Sequence, residues 1–228
     1  MRPILACSTS FSLAFAAHAQ AAPPPSAYQA VVSDYFAGEW RASPTTATSV
    51  GLHDWDAQLD DVSAGAHARE AARLTTALKR LKVLNGAALS PIDRDDRDIL
   101  IARIEGQLLQ EQTVQGWRHN PATYVDLMTG AVYSLIERDF APAPERMRCV
   151  IAREKAIPAM LAAAKQNLTD IPAVYVDIAL ENLDGAPDFL GKDVPSTFAE
   201  VGDPALKAEL DASTHMPPWR RSPITRPI

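Results

Sequence analysis

Beyond the first twenty residues of this 228-residue chain stand four histidines, His53, His67, His119 and His215, and no two lie within a helical turn of each other. A hydrolytic zinc needs ligands brought together by local spacing, such as two histidines four apart on a helix with a glutamate between them to act as base. That spacing is absent. The densest set of cation-seeking oxygens is His53-Asp54-Trp55-Asp56 followed by Asp60 and Asp61. It lacks the central glycine and the closing bidentate glutamate of a calcium loop, so it reads as a surface loop. Nucleophilic chemistry finds no Gly-x-Ser-x-Gly elbow and no Ser-x-x-Lys in a capped helix. Cys149, in Met147-Arg148-Cys149-Val150, has no base paired with it in sequence and reads as a small buried hydrophobe. In Asp93-Arg94-Asp95-Asp96-Arg97-Asp98 the pairs Asp93 with Arg97 and Arg94 with Asp98 are four apart, the pattern of a solvated helix face rather than of an acid–base pair. No residue is assigned as catalytic and none as a metal ligand.

The elements around these residues read as helices throughout. Tyr28, Val31, Val32, Tyr35, Phe36 and Trp40 recur at the three-and-four spacing of one helical face. Ser43 offers an N-cap, Pro44 fits a first helical position, and Gly51 can take the left-handed conformation that closes a short second helix. A long helix follows over about 64–85, capped by Ser63, with Leu74, Leu78, Leu81 and Leu84 on one stripe and Gly86 past its end. Ser90-Pro91-Ile92-Asp93 opens the next, burying Ile92, Ile99, Leu100, Ile104 and Leu108. Asn120-Pro121 starts a helix through Tyr124, Met128, Val132 and Leu135 to about Arg138. Pro142 and Pro144 precede one through Met147, Val150, Ile151 and Leu161, which Pro158 should kink or split. A last long helix runs from about Pro172 through Val176, Ala179, Leu180 and Leu183, and Pro204 opens another. No segment sustains period-two alternation between turn signals, so the chain is predicted to be all-α, an irregular multi-helix array.

Residues 1–21 read as a signal peptide: Arg2, an apolar run from Ile4 to Ala17, then the overlapping sites Ala17-His18-Ala19 and Ala19-Gln20-Ala21. That predicts an exported protein, periplasmic or secreted, from a bacterium, with no stable membrane association after cleavage. Residues 22–26, Ala-Pro-Pro-Pro-Ser, read as a linker, 27–212 as the helical domain, and 213–228 as a disordered basic tail rich in proline. The net charge of -6 argues against a nucleic-acid partner. With Cys149 the sole cysteine after residue 7, stability has to come from a packed core.

A helix ending Trp40-Arg41-Ala42-Ser43-Pro44-Thr45-Thr46-Ala47-Thr48, continued by Val50-Gly51-Leu52-His53-Asp54, resembles the opening of the bacterial "domain of unknown function 885" family, and the resemblance extends to about residue 212. It implies the N-terminal portion of a larger, exported, all-helical architecture similar to zinc peptidases. Such relatives use a His-Glu-x-x-His helix that this sequence lacks, so zinc is expected only in full-length relatives and no cofactor is expected here. Trp117-Arg118-His119-Asn120-Pro121 with Tyr124, and Val174-Tyr175-Val176, also resemble family motifs. They make Arg118, Asn120, Tyr124 and Tyr175 the candidates for lining a cleft that would hold a peptide. The expectation is a truncated, non-catalytic relative; a stand-alone periplasmic binding or scaffold module is the alternative.

Overall fold

The computed structural model describes residues 26–214, and among them every regular element is helical. In order these are α1 (Ala27–Ala42), α2 (Pro44–Ser49), α3 (Ala64–Lys82), α4 (Pro91–Leu109), α5 (Gly116–His119), α6 (Ala122–Ile136), α7 (Ala143–Asn167), α8 (Ala173–Asp188), α9 (Val194–Thr197) and α10 (Pro204–Thr214). Short 3-10 turns lie at His53–Trp55 and Gly86–Ala88, and π-helical turns at Gln110–Val114 and Phe189–Asp193. The all-α expectation holds. Residues 1–25, with the expected signal peptide, and 215–228 lie outside the described residues. Ser26 belongs to the fold rather than to the linker: its hydroxyl accepts from Gln29 N at 3.2 Å while its own N–H donates to Gln29 Oε1 at 2.9 Å, a complete capping box.

Two helical layers share the molecule. The first is α1, α3 and α4, closed around Tyr35, Leu74, Leu81 and Ile104. Its polar edge is bound by Arg103 Nη2 to Glu39 Oε1 (2.5 Å) and by Arg73 Nη1 to the Tyr35 carbonyl (2.9 Å). The second is α6 to α10. Val132, Leu135, Met147, Val150, Phe198 and Leu210 fill one part of its core, and Tyr124, Met128, Ile157, Met160 and Ala186 fill the other. Cys149 packs half-buried against the first of these parts, and burial pushes its thiol pKa up. An unreactive small side chain results.

Several expectations need correction. Ile92 and Ile99 are exposed, at 73% and 67%, because Ile99 lies 100° round the helix from Leu100 and α4 turns its Leu100–Ile104–Leu108 flank inward. The expected four-apart ion pairs of α4 do not form. Arg97 pairs with the adjacent Asp98 at 2.7 Å and donates to the Leu84 carbonyl, while Arg94 donates to that of Gly86. A Cβ on Gly86 would stand 2.9 Å from Arg97 Nη1, the far end of a flexible side chain that could move aside to admit it. The helix α7 runs unbroken through Pro158. Ser213 and Thr214, expected in the tail, are buried residues of α10 that donate to Glu154 Oε2 at 2.5 and 3.2 Å.

Candidate functional site

The short helix α2 and the turn after it carry the His53–Asp61 cluster. Pro44 occupies its first position, but Ser43 gives no side-chain cap. The cap comes from Asp60, whose Oδ1 accepts from both the N–H and the hydroxyl of Thr45 at 3.0 Å. Gly51, at φ +87, lets the chain reverse: its N–H donates to the Thr48 carbonyl and that of Leu52 to the Ala47 carbonyl. The reversal returns Asp56 to α2, where Thr48 Oγ1 donates to Asp56 Oδ1 at 2.6 Å. His53 Nδ1 lies 3.0 Å from Asp56 Oδ2, and its ring stacks on Phe140 with centroids 3.8 Å apart.

Beneath this turn lies Arg153 of α7, fully buried. Its Nη2 donates to Thr48 Oγ1 (2.6 Å), Nη1 to the Ala131 carbonyl (2.5 Å) and to Ser134 Oγ (3.1 Å), and Nε to the Gln58 carbonyl (3.0 Å). Burial lowers the guanidinium pKa, and the charges of Asp56 and Asp60 oppose that. Burial also raises the Asp60 pKa, against the two bonds from Thr45 and the charge of Arg153. The surface-loop expectation is therefore corrected for Asp56, which is buried, and for Asp60, which is spent as a cap; Asp54 and Asp61 do face solvent. Among the described residues no three of His, Cys, Asp and Glu are grouped as a metal would need.

The cleft candidates fall in two places. Tyr124 is buried, its hydroxyl donating to the Trp117 carbonyl at 2.5 Å and accepting from Asn167 Nδ2 at 3.1 Å; burial raises its pKa. Asn120 Oδ1 accepts from Ala122 N at 3.0 Å and so secures the start of α6. Arg118 lies over the Trp117 ring, 5.6 Å from its centroid, and its carbonyl accepts from Thr169 N at 2.8 Å. All three serve the α5–α6 corner. Tyr175 instead stands on the exposed flank of α8 with Val174 and Ile178, and Leu180, expected inside, is exposed on the other flank. An open groove of about 350 Å³ lies between α6 and α8. Asp126 and Tyr133 line it from α6, Asn182 and Phe189 from the other side, and Asn182 Nδ2 donates to Asp126 Oδ1 at 2.9 Å.

A family model described as "Bacterial protein of unknown function (DUF885)" matches residues 44–217, about three quarters of the chain. The chain belongs to the DUF885 family. No curated protein matches it. Among solved structures it is similar to a protein provisionally described as a lipoprotein of unknown function from Shewanella oneidensis, with a TM-score of 0.75 and 23% identity over 84% of this chain. The likeness covers 35% of that protein, so the chain spans about a third of its length.

The DUF885 match begins at Pro44, the first residue of α2, and so includes the whole turn that Arg153 holds. Sequence reasoning missed Arg153 because a lone arginine inside Ile151-Ala152-Arg153-Glu154 looks like an outward helical residue. The one available signal was its place at three-residue spacing after Met147 and Val150, on the buried stripe of α7.

Proposed function

We propose that this chain supplies a helical scaffold within an exported DUF885 protein and has no hydrolytic activity of its own. The observation that carries the reading is Arg153, a buried cation whose donors all go to hydroxyls and carbonyls that tie the His53–Asp56 turn to α6 and α7. A general base or a metal ligand must keep a lone pair directed at substrate or metal. Here both oxygens of Asp56 and the capping oxygen of Asp60 are engaged within the fold. The sequence also lacks the His-Glu-x-x-His spacing that its resemblance to zinc peptidases would require of the catalytic part. Coverage of about a third of the Shewanella protein supports a larger architecture in which this array is one part, and the description of that protein as a lipoprotein supports export.

The test is elemental analysis of the purified protein together with incubation on a peptide mixture read by mass spectrometry. The expected result is no stoichiometric zinc and no cleavage. One tightly held zinc per chain with peptide cleavage would overturn the reading.

A further inference from the structure

We infer that the outward side of α8 is a docking surface for a basic segment, and that the segment it takes is this chain's own residues 215–228. At 100° per residue Val174, Tyr175 and Ile178 share one flank of the helix, with exposures of 38–58%, and Ile171, 36% exposed, stands just before its first turn. An acidic ridge runs beside that flank: Asp177, Glu181, Asp184 and Asp188, with no Lys or Arg anywhere in α8. Only Asp188 has a cationic partner among the described residues, Lys192 at 2.8 Å. The surface is thus an apolar strip edged by unneutralised negative charge.

Residues 215–228 are its chemical complement. They hold Arg220, Arg221 and Arg226 with no acidic residue, and Met216, Trp219, Ile224 and Ile228 to meet the apolar strip. The route is short. Thr214 is fixed to Glu154 of α7, and Ile157, one turn further along α7, shares a core with Ala186 and Leu183 of α8. The segment therefore leaves about one helix diameter, roughly 10 Å, from α8. Fourteen proline-rich residues at about 3 Å each reach roughly 40 Å, more than the roughly 24 Å length of a sixteen-residue helix. Exposed charge pairs are individually weak, so the apolar contacts of Trp219 hold the segment and the arginines select the acidic edge. The inference goes beyond the scaffold reading and does not depend on it.

The experiment uses the full chain with a photo-crosslinking benzoylphenylalanine in place of Trp219. Irradiation is expected to join it to residues 171–189 of the same chain. The yield should fall at least about fivefold in high salt and in R220E/R221E/R226E, a variant altered only outside α1–α10. Combining that variant with D177K/E181K/D184K should restore the crosslink. Crosslinks to another helix, crosslinks only between copies, or a yield indifferent to both salt and charge reversal would each overturn the inference.

Discussion

At the scale of single residues the chain spends its polar groups on holding itself together, and Glu154 is where this becomes measurable. Buried between α7 and α10, its carboxyl is pushed up to about 7 by desolvation, although bonds from Ser213 and Thr214 partly offset it. A carboxyl whose folded pKa lies above its unfolded value of 4.5 is bound more tightly in its protonated form by the fold. Its contribution to stability is greatest below pH 4.5 and is lost as pH rises toward about 7, by on the order of 3 kcal/mol at most. Glu154→Gln should therefore gain stability relative to the natural protein on going from pH 4.5 to pH 8, measured by urea unfolding at each pH. A difference between the two proteins that stays constant with pH would contradict this. His53 and Asp56 carry the same lesson for legibility. Their types and spacing were evident in the sequence, but the burial of Asp56 was not, because Gly51 reverses the chain onto α2 and Arg153 arrives from about a hundred residues away.

At the scale of elements, helical periodicity placed the long helices within a few residues and the caps Ser63 and Ser90 were legible, but Ser26 was not read as the cap of α1, and periodicity failed where a helix has two apolar flanks. Ile99 and Ile104 of α4 are alike in type, yet the first is exposed and the second fully buried. Ile104→Ala should cost about 2–5 kcal/mol, while Ile99→Ala should stay within about 0.5 kcal/mol. Paired denaturant midpoints check this, and equal losses would show that the Ile99 flank is covered in solution. The helix α8 has the same ambiguity, with Ala179 and Leu183 turned inward and Ile178 and Leu180 on flanks that a hydropathy pattern cannot rank. Tyr124 and Tyr175 also looked equivalent as polar-tipped aromatics. Only the three-dimensional neighbours of Tyr124, the Trp117 carbonyl and Asn167, decide that one is an internal strut and the other faces outward.

For the whole molecule, two helical layers, α1–α3–α4 and α6–α10, meet across the segment that gives the DUF885 family its recognisable opening. The scaffold account holds that this segment is a tie, fastened from below by Arg153. Replacing that arginine with methionine keeps an unbranched apolar stem but strands the Gln58 carbonyl and leaves Asp56 and Asp60 without the buried cation that faces them. The most direct measurement is urea unfolding of Arg153→Met beside the natural protein, followed by far-ultraviolet circular dichroism and by tryptophan fluorescence. The account predicts a loss of about 3–5 kcal/mol, with Trp40 in the first layer and Trp55 in the tie both reporting the weakened transition. An unchanged midpoint by both probes would contradict it, because Arg153 would then be held in place for something other than the fold.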